Sequence, residues 1–250
     1  MRIDILTLFP ETVGDVLSDS ILGRAQERGF IRIETHQIRE YTTNKQCQVD
    51  DYPYGGGRGA VMMADPLYRC WDHVRQQTEG KVHTIYMSPC GKTFTQADAI
   101  RLSQMENLVL VCGHYEGIDQ RFIDECVDEE ISLGDFVLTG GEIAAMAVTD
   151  AVCRMVPGVL ADPECFEDES HYSGMLEYPQ YTRPAVWHER EVPAILLSGN
   201  HAKVAQWRRK QALRRTSARR PDMYEKLDLS SKQDKKLLAE MEKEDAEQNA

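Results

Sequence analysis

The sequence predicts an α/β domain on a mostly parallel sheet, followed by a small all-helical C-terminal domain. Three observations carry that expectation. Short apolar runs alternate with amphipathic stretches as far as residue 159, the pattern of strand–helix–strand units. Residues 160–177 break the rhythm with an acidic stretch short of aliphatic side chains, which sets the domain boundary. From 178 to 250 the helical periods have no convincing strands between them.

Taken in order, Ile3, Ile5, Leu6 and Leu8 read as a buried strand ending at Pro10. Residues 11–28 read as helical, and Ile31-Arg-Ile-Glu-Thr alternates as a second strand. Asp50 to Gly59 is too glycine-rich for regular structure. A helix over 65–79 is opened by Asp65-Pro66 as cap and first turn. Strands at 82–88 and 107–112 flank a helix near 95–105. After Gly140-Gly141 a helix runs to about Met155, with Ile143, Met146, Ala147, Ala151 and Val152 on one side, and stops at Pro157-Gly158. Helices near 200–215 and 230–245 build the second domain, whose tail EMEKEDAEQNA is charged and frayed.

With 250 residues and 42% hydrophobic content, the chain can bury a real core. Its net charge of −12 argues against coating nucleic acid over the whole surface. The charge is uneven, however: residues 201–220 hold eight Lys or Arg and no acid, residues 115–142 hold nine acids against Arg121, and residues 161–178 hold six acids and no Lys or Arg. Such a chain binds an anionic polymer through one defined face. None of the seven cysteines forms a CxxC pair, and an odd count suits a disulfide framework poorly, so reduced core thiols are expected. MRIDILTLFP reads as a first strand rather than a signal peptide, and no run reaches the ~20 apolar residues of a membrane span. A soluble, cytoplasmic protein is expected.

Two glycine-bearing turns carry the strongest functional signal, Gly113-His114-Tyr115-Glu116-Gly117 behind LVLVC and Gly134 to Gly141 behind Ile131-Ser132-Leu133. Backbone groups exposed there can read a small polar ligand at the C-terminal ends of strands. The plain alternative is an ordinary connection. Clustering of His114, Tyr115, Glu116 and Asp119, and a helix opening after Gly140-Gly141, favour a site. Neither turn is a GxGxxG or a P-loop, so a nucleoside triphosphate is a poor guess. Gly55-Gly56-Gly57 reads as a phosphate nest or as a loop that orders over substrate. The basic stretch reads as a solvated helix face or an RNA-backbone contact, with Trp207 as a core anchor. Glu167-Asp168-Glu169 before Ser170-His171 reads as solvated linker or as a general base on a flexible segment. Arg154 either complements a helix C-terminus or points into the site.

DDYPYGGGRG (50–59), YMSPCG (86–91), CGHYEGIDQR (112–121), SLGDFVLTGGE (132–142), DAVCRMVPGVL (150–160), YPQYTRP (178–184) and WRRKQALRRT (207–216), in this order, closely resemble the bacterial tRNA (guanine-N1)-methyltransferase family of the SPOUT class. The match runs nearly end to end. It implies a deep C-terminal trefoil knot in the first domain, where topology rules alone predict an unknotted sheet. It further implies S-adenosylmethionine bound in the knot, and a homodimer with the active site at the subunit interface. The implied reaction methylates N1 of the tRNA guanosine immediately 3′ of the anticodon when another guanosine precedes it. Carried over motif by motif, the cofactor residues are Tyr86, Ser88 and Pro89, then Gly113, Tyr115, Glu116 and Gly117. The third set is Ser132, Leu133, Gly134, Asp135, Phe136, Val137 and Leu138, with Gly140 and Gly141 behind it. Glu169 takes the place of the family's linker Asp as general base, with Asp168 as its rival, and Arg154 stands at the functional arginine. Arg183, Arg208, Arg209, Lys210, Arg214 and Arg215 are the implied RNA contacts. The domains then read as a cofactor-binding 1–159, a flexible acidic linker 160–177 and a tRNA-binding 178–250. Magnesium near Glu116 also enters through the resemblance, although no dedicated metal-ligand set is legible.

The sequence departs from the family pattern at Gln46 and Cys47, where His and a basic residue are expected, at Ala60 for Met, and at Ala144 for Pro. Two rivals are a SPOUT enzyme acting on another RNA and a non-catalytic RNA-binding module. The motifs of the second domain count against the first, and retention of Arg154, the linker acids and the glycines counts against the second.

Overall fold

The structure, a computed structural model, describes residues 1–161, 166 and 169–248. Contacts divide the chain into two compact units, Met1–Pro163 and Glu164–Ala250, and the division falls within the acidic stretch.

The first unit is built on β1 (Arg2–Thr7), β2 (Arg32–Gln37), β5 (Val82–Thr93), β6 (Asn107–Cys112) and β7 (Glu129–Ser132), in the order β2-β1-β6-β5-β7. All the pairings in this sheet are parallel. Two short strands, β3 (Asp50–Asp51) and β4 (Val61–Met62), pair antiparallel outside it. Parallel sheets are covered on both faces, and β6 is buried along its whole length. Leu6, Val109, Val111 and Tyr86 pack on one side with Leu67, Cys70 and Val74 of α3 (Ala64–Gln77) and Phe122 of α5 (Gln120–Cys126). By strand alternation Ile3, Ile5, Leu108 and Leu110 face the other side. There α1 (Pro10–Leu17), α4 (Gln96–Ser103) and α6 (Glu142–Cys153) cover the sheet.

Several elements differ from the sequence reading. The helical stretch expected over 11–28 is two helices, α1 and α2 (Ser20–Glu27), because Ser20 adopts φ 55° and Asp19 accepts its N–H. In α3 the cap is Met63, and Asp65 lies inside the first turn, paired with Arg69 at 2.8 Å. The buried face of α6 is Ala144, Ala145, Val148, Thr149, Val152 and Cys153, while Ile143 is 57% exposed. Small side chains face β1 and β6 because the helix lies close to the strands, so bulk is turned outward. The strand expected over 82–88 continues to Thr93, but Ile131 lies opposite both Met87 and Lys92, so residues 88–91 leave the ladder as a bulge.

The second unit holds α7 (His201–Arg219), α8 (Pro221–Tyr224) and α9 (Lys232–Gln248) around Met175, Ala212, Leu213 and Met241. It is not all helix. β8 (Val186–Trp187) and β9 (Arg190–Glu191) form a hairpin whose two turn residues, His188 and Glu189, both have positive φ, as a primed turn requires. Nor is the whole of 160–177 a free linker. Met175 is buried, the Leu176 N–H donates to Thr216 Oγ1 at 2.9 Å, and Arg215 donates to the Glu177 carbonyl at 3.0 Å. Trp207 is half-buried beside Tyr181, outside that core. Among the described residues no helix is long and apolar enough to cross a membrane. Cys70, Cys112, Cys126 and Cys153 are buried thiols, whereas Cys47 and Cys90 are exposed.

Candidate active site

A cavity of about 410 Å³ opens where β5, β6 and β7 end, walled by three loops and the start of α6. The first wall is the β5 bulge. Ser88 is buried and its Oγ accepts the Cys90 N–H at 3.1 Å, which curls the loop back. Gly91 closes it: a Cβ there would sit 2.4 Å from the Glu130 carbonyl carbon, so only glycine lets the two backbones touch.

The second wall is the turn after β6. Gly113 lies under the Tyr86 ring, where a Cβ would come within 2.8 Å of it. Burial pushes the Tyr86 phenol up to about 12, so it stays a neutral hydroxyl. Tyr115 takes φ 60°, and the Gly117 N–H returns to the His114 carbonyl at 3.1 Å. The turn is tied to the glycine-rich segment, since the Glu116 N–H donates to the Ala60 carbonyl and the Met62 N–H to the Gly117 carbonyl, each at 3.0 Å. Ala60 serves there through its backbone, which explains why the side chain can depart from Met. The Glu116 side chain lies over Gly59. Gly55-Gly56-Gly57 all have positive φ, and beside them Tyr54 is fully exposed.

The third wall is 132–141. Ser132 Oγ and the Gly134 backbone exchange hydrogen bonds at 2.9 and 3.2 Å, which sets the turn. Phe136 and Val137 present exposed apolar surface. The Gly141 N–H then donates to the Gly113 carbonyl at 2.9 Å and delivers the chain into α6. Ala144, one of the departures, lines the cavity from α6's first turn.

The cavity therefore brings together Tyr86, Ser88, Pro89, Gly113, Tyr115, Glu116, Gly117, Ser132, Leu133, Phe136, Val137, Leu138, Gly140 and Gly141. Gly134 and Asp135 belong to the same loop but do not line it, and Asp135 points to solvent. Reasoning from sequence places His114 in the clustered turn but gives it no role, and it lines the cavity; it gives none to Glu142 either, whose Oε2 lies 2.9 Å from His114 Nε2. Both sit inside the glycine motifs, and an acid closing GGE three residues after Thr139 was the available signal.

Arg154 is the C-cap residue of α6 in the first unit and is half-buried. Glu169, in the second, is half-buried with its N–H on the Phe166 carbonyl at 3.2 Å. Asp168 lies outside the described residues. Of the basic set, Arg183 and Arg208 are exposed, and the Arg208 guanidinium stacks 4.8 Å from the Tyr178 ring centre. The others meet partners within their unit: Arg209 bonds Asp234 at 3.0 Å, Lys210 pairs with Glu244, and Arg214 pairs with Glu244 and Asp245. The stretch that lacks acids in sequence thus receives them from α9.

Among the described residues the group of carboxylate and imidazole atoms close enough to share an ion is Asp4, Glu34 and His36. It does not include Glu116. Arg2 already forks onto Asp4 at 2.7 and 2.8 Å, occupying the carboxylate an ion would need.

Residues 1–226 match the family described as tRNA (Guanine-1)-methyltransferase TrmD. A tRNA (guanine-N(1)-)-methyltransferase of Clostridium perfringens is 56% identical over 238 residues, covering 95% of this chain and 99% of its own. Relatives with the same name from Ruminiclostridium cellulolyticum and Clostridium acetobutylicum are 52% and 51% identical, covering 91% and 97% of this chain and 97% and 98% of theirs. With glycine loops, cavity and near full-length similarity coinciding, the chain belongs to the tRNA (guanine-1)-methyltransferase family.

Proposed function

We propose that the protein is an S-adenosylmethionine-dependent tRNA methyltransferase acting on N1 of the guanosine immediately 3′ of the anticodon when a guanosine precedes it. The observation that carries this reading is the cavity at the ends of β5, β6 and β7. Its volume lies in the range of small-molecule sites, and backbone edges alternate in it with Leu133, Phe136 and Leu138, a suitable lining for a purine ring and its polar rim. When bound, the cofactor supplies an electrophilic methyl group on a sulfonium.

Guanine N1 carries a proton at neutral pH, and that proton must leave before the nitrogen can act as a nucleophile. Glu169 is the general base in this reading, with Asp168 as the alternative. Arg154 stabilises the negative charge that then spreads onto O6. Arg183 and Arg208 meet the phosphate backbone, and Arg209, Lys210, Arg214 and Arg215 support that surface as well as holding their unit together. Magnesium, where required, belongs near exposed Glu116.

The knot is part of the same proposal. Segment 132–141 crosses the end of β6 at Gly141, and Gly91 lies against Glu130, two contacts too close for any side chain. A homodimer is supported by the outward stripe of α6, where Ile143 and Ala147 are exposed and Met146 is half-buried.

Labelled S-adenosylmethionine with tRNA transcripts varied at the two bases 3′ of the anticodon's centre tests the reading. Methyl transfer confined to consecutive guanosines is expected; transfer to another base, or none, sinks it. Glu169→Gln should cut turnover at least ~10²-fold with cofactor binding intact. Retained activity there, together with loss in Asp168→Asn, moves the base by one residue.

A further inference from the structure

Behind the second pocket wall, side chains from three distant parts of the sequence form one hydrogen-bonded line. Thr7 ends β1 and is fully buried, His114 follows Gly113, and Glu142 opens α6 with 8% of its surface exposed. The Phe9 N–H donates to Thr7 Oγ1 at 3.0 Å, so the hydroxyl proton is left to donate to Glu142 Oε1 at 2.7 Å. Glu142 Oε2 faces His114 Nε2 at 2.9 Å. A carboxylate oxygen facing a ring nitrogen accepts its proton, so Nε2 carries a proton, and in the neutral imidazole Nδ1 is the acceptor. Packing leaves little freedom. A Cβ on Gly140 would come 2.2 Å from His114 Nε2, and the Phe9 ring lies 5.1 Å from the imidazole, centre to centre. His114 and Gly140 also form a backbone bridge between the second and third walls.

We infer that Thr7 and Glu142 are positioning residues of the pocket, holding His114 in one orientation and in its Nε2–H tautomer. The wall they set then presents an imidazole acceptor, and it keeps the turn at 113–117 in register with the loop at 132–141. The complementary ligand group is a hydroxyl or ammonium donor. This rests on the proposed cofactor reading, because a ribose and an amino-acid ammonium supply such donors. Glu142 needs the second anchor. Without Thr7, one carboxylate oxygen would be buried without a partner and the side chain would be free to swing away from His114.

Nitrogen-15 NMR of histidine-labelled protein without ligand reads the tautomer directly. The expected His114 signals are those of a ring carrying a proton on Nε2; a ring protonated at Nδ1 alone overturns the inference. Glu142→Gln replaces one acceptor by a donor and should transfer the His114 proton to Nδ1, and an unchanged tautomer there also overturns it. Thr7→Val keeps shape and loses the donor. It should weaken S-adenosylhomocysteine by about 10-fold or more, the scale of a lost hydrogen bond to a charged group. It should raise the cofactor KM far more than it lowers kcat, and Thr7→Ser should restore both. Wild-type affinity in Thr7→Val refutes the positioning role. If wild-type protein fails to bind S-adenosylhomocysteine while the tautomer and its reversal are as expected, the cofactor reading fails and the positioning of His114 stands.

Discussion

Replacing Gly141 by alanine should spread the pocket at its floor. Gly141 has φ −80° and ψ −8°, a conformation open to any residue, so the backbone itself resists nothing. The obstacle is space. The new Cβ would meet Cys112 Cα at 2.8 Å and the Gly113 nitrogen at 3.1 Å. Carbon pairs prefer ~3.5–4.0 Å, so roughly 0.7 Å must be found. Cys112 is fully buried and pairs with Met87 in the centre of the sheet, so the helix start is the part that yields. Overpacking of this kind costs about 1–3 kcal/mol, which in a chain of this size lowers Tm by about 2–12 °C. The same displacement stretches the 2.9 Å bond between Gly141 and Gly113 and separates two walls of the cavity. Misplacement approaching 1 Å at a reacting centre costs up to ~10²-fold in rate. Thermal scans with and without S-adenosylhomocysteine, and calorimetric titration, read both effects. Gly29→Ala is the control, since Gly29 follows α2, is not part of the cavity lining, and has φ 75° with nothing within 4 Å of its Cβ position; it should cost about 1 kcal/mol of local strain and leave ligand affinity alone. A Gly141→Ala protein with wild-type Tm and affinity would refute the argument that this contact sets the pocket.

Burial acts to raise the pKa of Asp4, but hydrogen bonds from His36 and Arg2 outweigh it and hold the carboxyl below its usual value. A folded pKa below the unfolded ~3.9 means stability that is complete above that value and lost as pH falls through the folded pKa. Tm should therefore drop below about pH 4, and Asp4→Asn should flatten that acid limb; an unchanged limb excludes Asp4 as its source. Burial likewise pushes the Cys153 thiol up to about 12 and Cys126 to about 11, and raises Cys70 and Cys112. Peptide mapping after brief alkylation of native protein should find Cys47 and Cys90 modified and these four protected, and early labelling of Cys112 would contradict the packing. Changing Arg183 and Arg208 together to alanine should reduce the salt slope of tRNA binding by about 1.5–2, whereas Arg214→Ala should chiefly lower Tm through its lost pairs with α9. Equal slopes in the double variant and wild type would remove those two residues from the RNA surface.

Legibility in the sequence followed how local the cause was. β6 announces itself because every residue of this central strand is buried, giving the run Leu-Val-Leu-Val-Cys, and β1 because Ile3, Ile5 and Leu6 are buried beside it. β7 does not, since an edge strand reading Glu129-Glu130-Ile131-Ser132 can carry acids, Glu129 meeting Arg101 and His83 from neighbouring elements. The glycine turns were readable because steric exclusion by a nearby backbone demands that residue and no other. The face of α6 was misjudged because Ile143 looks like core, while close approach to the sheet selects Ala144 and Ala145. The surroundings of the basic run were hidden for a similar reason: Asp234, Glu244 and Asp245 are remote in sequence yet meet Arg209, Lys210 and Arg214 in the fold. The Thr7–Glu142–His114 line spans 135 residues and leaves no periodic trace.

Ile131 grips β5 on either side of the excursion at 88–91, so that wall is riveted at both feet to one neighbouring strand. It cannot swing without unzipping the edge of the sheet. A closing motion over a guest molecule falls instead to the loop at 132–141, where Phe136 and Val137 line the cavity and are exposed. Compounds built to fill this site gain shape selectivity from the fixed wall and meet their adaptive partner on the other.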